Sequence, residues 1–267
     1  MTTISRVLTI AGSDSGGGAG IQADLKTITV LGGFGMSVIT ALTAQNTLGV
    51  HAVHEVPPEF IAAQFDAVAG DIGVDAAKTG MLPSAAIMEI VAVKVRQYGI
   101  RKLVVDPVMV AKGGTSLMDP GARKVLIKSL LPLALVVTPN IPEAEILTDV
   151  IIASVSDMKA AARIIHELGA PNVVVKGGHL PGGAVDVLYD GRNFYEYPFK
   201  RIATRDTHGT GCTFSAALAT RLAQGGTVRE AVAAAEKYMA AAVGAALRLG
   251  AGHGPTNHLA YLQEKKS

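Results

Sequence analysis

The sequence contains one cysteine, Cys212, no tryptophan, and only 4% aromatic residues. A lone cysteine excludes an internal disulfide and any metal site built from several thiolates. With so few rings, the core has to be assembled from Ala, Val, Ile and Leu. Charge is sparse as well: 17% of residues are charged, the net charge is +2, and no basic run is longer than Lys265-Lys266. A nucleic-acid binder needs a basic stripe or patch. None is legible, so no nucleic-acid partner is expected. No signal-peptide pattern opens the chain, which makes the cytoplasm the expected compartment. Thr27 to Val50 carries no charged residue, but a membrane span wants about 20 predominantly apolar residues. Gly32-Gly33, Gly35 and Gln45-Asn46 interrupt it. It reads as a helix end, a glycine turn and a buried strand, with no membrane partner.

What the sequence does contain is alternation. Short β-branched runs recur at 7–10, 37–41, 77–80, 103–105, 135–137 and 173–175, and most are apolar on both faces. Strands read that way when both faces of a sheet are covered. Helical spacing fills the gaps. Met158, Ala161, Ile164, Ile165 and Leu168 share one helix face behind a predicted Ser156 N-cap. Thr227-Val228-Arg229-Glu230 is a capping box opening a long Ala-rich helix. This βαβα order implies an α/β fold with a mostly parallel sheet and helices on both faces. Residues 185–203 break the rhythm and predict an antiparallel edge hairpin around Asp190-Gly191. No linker or repeat divides the chain, so residues 1–267 are expected to form one domain.

In such sheets ligands bind beyond the carboxyl ends of the strands. The exits here are Gly12 to Gly20, Gln45-Asn46, Gly80-Met81, Asp106-Pro107, Pro139-Asn140 and Lys176-Gly177-Gly178, all polar or flexible. Together they predict one shared cleft. No Walker pattern is present. The first glycine loop misses the dinucleotide fingerprint, because position 21 is Ile and no acidic residue closes a second strand. That argues against a nicotinamide-dependent oxidoreductase. Gly209-Thr210-Gly211-Cys212 is more informative. It lies directly before the helical run 214–222, where unpaired N–H groups and the helix dipole favour an anion. It predicts an anion hole for a phosphoryl group in transfer. Cys212, in the first turn, reads either as a small buried hydrophobe or as a thiol with a depressed pKa and partial thiolate character.

These motifs carry a resemblance. Ala11 to Asp24, Gln45-Asn46-Thr47, Lys78 to Leu82, Val105 to Met109, Thr138-Pro139-Asn140 with Glu143, Lys176 to His179, and His208 to Thr213 resemble the hydroxymethylpyrimidine/phosphomethylpyrimidine kinases of thiamin biosynthesis. These are members of the ribokinase-like superfamily, and the likeness runs from residue 5 to Gly252-His253-Gly254-Pro255. It implies a ribokinase-like three-layer α/β/α fold with a small β edge element. It also implies a homodimer, the use of ATP with Mg²⁺, and phosphorylation of 4-amino-5-hydroxymethyl-2-methylpyrimidine and then of its monophosphate.

Residue by residue, the resemblance implies that Gln45 and Asp24 hydrogen-bond the aminopyrimidine while Gly12, Met81 and Val108 pack around it. An aminopyrimidine offers a paired donor and acceptor, and an amide offers the complement. On the nucleotide side it implies Lys176, Asp106, Asn140 and Thr210 at ATP. Glu143 and Asp106 would serve Mg²⁺, which keeps much of its hydration. Gly209, Thr210, Gly211 and Cys212 would be the catalytic turn. Many ribokinase-like enzymes carry Asp as general base where Cys212 stands, and cysteine there points to pyrimidine kinases rather than sugar kinases. Pyridoxal or pyridoxine kinase activity is the runner-up, since those substrates are also heteroaromatic hydroxymethyl compounds.

Overall fold

The computed structural model describes residues 4–109, 121–178, 180, 184–245 and 247–264. His179, quoted above within a motif, lies outside them. Eighteen elements carry labels below. In chain order they are β1 (Arg6–Asp14), α1 (Gly20–Val30), β2 (Phe34–Asn46), β3 (Gly49–Glu55), α2 (Pro58–Asp71), β4 (Ala76–Thr79), α3 (Ala85–Gln97) and β5 (Leu103–Val105). Then come α4 (Ala122–Val125), β6 (Val136–Val137), α5 (Ile141–Thr148), α6 (Val155–Glu167), β7 (Val173–Val175), β8 (Ala184–Tyr189) and β9 (Phe194–Phe199). Helices α7 (Thr210–Ala223), α8 (Val228–Gly244) and α9 (Ala260–Glu264) complete the set.

The strands form one nine-stranded sheet in the order β3-β2-β1-β4-β5-β6-β7-β8-β9. Neighbours from β2 through β7 pair in parallel, whereas β3, β8 and β9 pair antiparallel. Helices cover both faces. Leu8, Leu103, Val105, Val173 and Val175 pack toward α2, α3, α5 and α6. Val7, Val104 and Val174 point the other way, into a core shared with α1, α7 and α8. This is the period-two alternation of a strand with both sides buried, and it explains why the strands read as continuous apolar runs. The hairpin appears as β8 and β9 at one edge, with Asp190 accepting backbone hydrogen bonds from Arg192 and Asn193 across its turn. Among the described residues no helix is long and apolar enough to cross a membrane.

Two local expectations need correction. The N-cap of α6 is Ser154, not Ser156: Ser154 accepts from the Asp157 N–H, and Asp157 returns a bond to the Ser154 backbone. An acid three residues on decides this, and Ser156 is followed at that spacing by Lys159. Second, β2 does not end at Ala41 but runs on to Asn46, and β3 folds back against it as an exposed edge. With almost every side chain of that arm at least partly exposed, it lacks the buried apolar run that marked the other strands.

One polar pair lies inside the layers. Lys78 on β4 and Asp24 on α1 are both fully buried, with Lys78 Nζ 3.2 and 3.1 Å from the two Asp24 oxygens. Thr9 on β1 adds a hydroxyl donor to Asp24 at 2.6 Å. Burial alone would lower the Lys78 pKa, but Asp24, followed by Cys212 and Asp106, outweighs it and holds the amine charged. Burial pushes the Asp24 carboxyl up, Lys78 and Thr9 oppose that rise, and with only donors facing it the carboxyl is satisfied as the anion. The pair locks α1 to the sheet beneath the cleft. Lys78→Met should strand the Asp24 charge and destabilise the fold by about 3–5 kcal/mol in urea unfolding, with the double variant Lys78→Met/Asp24→Leu losing much less. Equal losses in the two would mean that the pair is not ionic.

Candidate active site

The cleft is assembled from strand ends that curl around the start of α7. At the end of β1, the Asp14 carboxylate accepts backbone N–H groups from Gly16 at 2.8 Å, Gly18 at 3.0 Å and Ala19 at 2.8 Å. It also lies 3.0 Å from His208 Nε2. Burial opposes ionisation of Asp14, but His208 and the backbone donors outweigh it and hold the carboxyl below its ordinary range. One carboxylate thereby shapes the whole glycine loop.

On the side expected to hold the acceptor, Gly12 and Gln45 both fall at irregularities of strand pairing. The β1–β2 register shifts between Ala11 and Ser13, and the β2–β3 register shifts at Ala44/Gln45. Such shifts re-aim side chains near binding sites. The half-buried Gln45 amide meets His208 and Thr43. Gly12 leaves room for Met81: a Cβ there would lie 2.7 Å from Met81 Cε. Val108 follows Asp106 at the end of β5 and remains partly exposed. Asp24 departs from expectation, because its oxygens are committed to Lys78 and Thr9 and none of its surface is exposed. It cannot meet a ligand directly in this arrangement.

The side expected to hold phosphate is the N-terminus of α7. Gly209 is its N-cap with φ 80°, and a Cβ there would collide with the Gly18 carbonyl. Only glycine relieves both the left-handed backbone and that contact. The first-turn N–H groups therefore open beside the glycine loop, and Thr210 Oγ1 donates back to Thr207 O at 3.1 Å. A Cβ on Gly211 would sit 3.3 Å from both Asp106 Oδ2 and Lys176 Nζ. Lys176 is 3.0 Å from Asp106 Oδ1, and Thr138 and Ser215 donate to the same carboxylate. Residues 140 and 176 are bridge partners at the ends of β6 and β7.

Asn140 and Glu143 form the capping box of α5, each side chain bonding the other's backbone N–H at 2.9 Å. Glu143 is buried, which pushes its carboxyl up to about 7. Lys176 opposes this rise, and nearby Asp106 reinforces it. Two buried carboxylates thus share one ammonium, an arrangement that favours a further cation. Among the described residues no group of three or more His, Cys, Asp or Glu is placed to hold a metal. The donor set fits Mg²⁺ bound chiefly by phosphates and water, with one or two carboxylates in support.

Cys212 overturns the thiolate expectation. Burial pushes its thiol up to about 11, against the pull of Lys78 and the Gly20 N–H and with a further push from Asp24 and Asp106. Desolvation at this site exceeds what a helix terminus returns, so the free enzyme carries a neutral thiol at neutral pH. Sequence reasoning also assigned no role to Asp14, Lys78, His208, Asp186 or Glu236. Asp186 accepts the Gly177 N–H at 2.8 Å behind Lys176. Burial and Asp186 push the neighbouring Glu236 carboxyl up to about 10, so it is protonated. The Asp two residues before Gly16 was a readable turn signal; the other four depend on contacts across the chain.

Residues 14–257 match the family model described as phosphomethylpyrimidine kinase. The chain is 59% identical over 254 residues to the thiamine biosynthesis bifunctional protein of Geobacter sulfurreducens, covering 95% of this chain and 52% of that one. It therefore spans about half of that relative's length. It is 50% identical to the hydroxymethylpyrimidine/phosphomethylpyrimidine kinase of Bacillus subtilis, covering 97% of this chain and 96% of the relative. Among solved structures, an ADP complex of Bacillus subtilis pyridoxal kinase superposes with a TM-score of 0.90 at 42% identity, covering 98% of this chain and 100% of that one. A family match over most of the chain, joined to the strand-exit residues gathered here around one helix start, places this chain in the phosphomethylpyrimidine kinase family.

Proposed function

We propose that this chain transfers the γ-phosphoryl group of ATP to the hydroxymethyl group of 4-amino-5-hydroxymethyl-2-methylpyrimidine, and then phosphorylates the resulting monophosphate to the pyrophosphate. One observation carries the reading. The start of α7 touches Asp106 and Lys176 on one side and the glycine loop on the other, so an anion hole separates a phosphate-binding side from an acceptor side. Gln45, Gly12, Met81 and Val108 receive the pyrimidine. Lys176, Asn140 and the Thr210 and Gly211 backbone receive the ATP phosphates. Asp106 and Glu143 would hold Mg²⁺, which supplies charge neutralisation at the phosphate oxygens.

The hydroxyl oxygen attacks the γ-phosphorus, the bond to the bridging oxygen of ADP breaks, and the neutral Cys212 thiol relays the proton, giving its S–H hydrogen to a γ-phosphoryl oxygen as it takes the hydroxyl hydrogen. Lys78 stabilises the sulfur as it takes on charge during proton exchange, since its ammonium already pulls the thiol pKa down. Positioning and charge stabilisation supply most of the acceleration in phosphoryl transfer. Proton transfer supplies a further factor of about 10²–10⁴. Cys212→Ala should therefore lower kcat by about 10²-fold while the KM for the pyrimidine moves far less. Unchanged turnover would remove Cys212 from the mechanism.

Pyridoxal phosphorylation is a second reading, favoured by the 42% identity to a pyridoxal kinase over nearly the whole chain. A comparative turnover assay separates the two. Purified protein with ATP should release ADP on addition of the hydroxymethylpyrimidine and then consume the monophosphate. Release with pyridoxal alone would overturn the pyrimidine reading. We also propose a cytoplasmic homodimer. Leu42, Leu48, Val53 and Phe60 on the β2–β3 arm and α2 are 44–67% exposed and offer an apolar surface for a second copy. Light scattering during size exclusion should give twice the chain mass, and the single mass would refute the dimer.

A further inference from the structure

His208 stands where the acceptor side meets the anion hole, one residue before Gly209. Its backbone is pinned on both sides: its N–H donates to Gly254 O at 3.0 Å, and its carbonyl accepts from the Thr256 N–H at 3.4 Å. Its ring is boxed as well, since a Cβ on Gly18 would lie 2.6 Å from His208 Cδ2 and 2.9 Å from Pro255 Cβ. From that fixed position, His208 Nε2 is 3.0 Å from Asp14 Oδ2 and 3.1 Å from Gln45 Nε2.

One ring nitrogen thus faces two neighbours, and their demands decide its chemistry. Asp14 gathers three backbone N–H groups, as an ionised acceptor does. The His208 nitrogen turned toward it must therefore carry hydrogen. A nitrogen that carries hydrogen cannot accept from an amide NH2. A half-turn of the Gln45 amide exchanges its oxygen and nitrogen, and the surrounding partners decide between the two placements. The half-turn brings Oε1 to His208 and the NH2 to Thr43. Thr43 agrees with it: its hydroxyl hydrogen is given to Ser13 O at 3.0 Å, leaving lone pairs toward the Gln45 group 3.3 Å away. Every donor then has an acceptor, with the single His208 N–H shared between Asp14 and Gln45. In the opposite placement the His208 and Gln45 N–H groups confront each other.

We propose that His208 is a positioning residue that sets the donor–acceptor polarity of Gln45, and through it the way round in which the heteroaromatic acceptor is held. This rests on the pyrimidine reading above. With one Gln45 lone pair given to His208 and one N–H to Thr43, the amide keeps one acceptor and one donor for a ligand. An aminopyrimidine meets that pair with its amine and its adjacent ring nitrogen. In the proposed substrate the 5-hydroxymethyl group neighbours that amine. Reversing the amide would turn the ring over and carry the hydroxymethyl group away from Gly209–Cys212. The N–H of His208 thus links ring orientation to the turn that follows it in sequence.

Two variants of equal reach isolate the N–H donor. His208→Met removes it, and His208→Gln restores an N–H at similar length. His208→Met should raise the pyrimidine KM about tenfold, the scale of one hydrogen bond, with the ATP KM moving less than about twofold. His208→Gln should recover most of that loss. On a Gln45→Ala background, His208→Met should add less than about twofold, because the two residues act through one contact. An unchanged pyrimidine KM in His208→Met, an equal rise in the ATP KM, no recovery in His208→Gln, or a full effect without Gln45 would each overturn the proposal. Wild-type enzyme that turns over no pyrimidine would overturn the functional reading and this proposal together. An active wild type with any of those variant results overturns this one alone.

Discussion

The contact on which the site depends is backbone against backbone. The left-handed Gly209 cap lies on the Gly18 carbonyl so closely that Gly209 has no room for a side chain, and a side chain at Gly18 would meet His208 and Pro255. This contact brings the loop after the first strand to the start of a helix almost two hundred residues later. The open N–H groups of α7 then face the cleft formed by the strand ends. Asp14 keeps the loop in shape by drawing three amides inward, and it reaches across to His208, the residue that precedes the cap. A larger residue at either glycine would separate the two halves of the cleft.

Around this contact the charges are deliberately sparse and nearly all paired. Lys78 answers Asp24 beneath the floor, and Lys176 answers Asp106 at the wall. Glu143 is the exception, since it shares the Lys176 charge with Asp106 and is pushed up toward neutrality. That imbalance suits a site that receives both a polyanion and a divalent cation. The same dryness explains Cys212. A thiol that would be partly ionised at an exposed helix start is held neutral here, and Lys78 keeps an ammonium beside it.

Several features were readable before any coordinate. The six parallel strands were visible because covering both faces leaves a continuous apolar run. The β8–β9 hairpin was visible because the Asp190-Gly191 turn interrupts two β-rich stretches. The Gly209 turn stood out as a helix start because a glycine pair precedes an apolar helical run. The failures share one physical origin. Ser154 and Ser156 offer the same hydroxyl, and the partner at Asp157 decided between them. Strand β3 carries no buried face, so hydrophobic pattern could not mark it. Asp24 sat in a motif that suggested a ligand contact, yet its carboxylate is consumed by a lysine 54 positions away.

The alternation of strands and helices, the strand-exit residues, the glycines that let backbone approach backbone and the family resemblance those motifs carry are all legible in the amino-acid sequence. These are local properties, set by periodicity, turn chemistry and helix termini within a few residues. How the charged and polar side chains are spent emerged with the folded chain: Asp24 on Lys78, Asp14 on the glycine loop and His208, Glu143 on its cap, and Cys212 as a half-buried neutral thiol. Ionisation and hydrogen-bond polarity depend on desolvation and on partners brought in from distant strands. No window of sequence contains either.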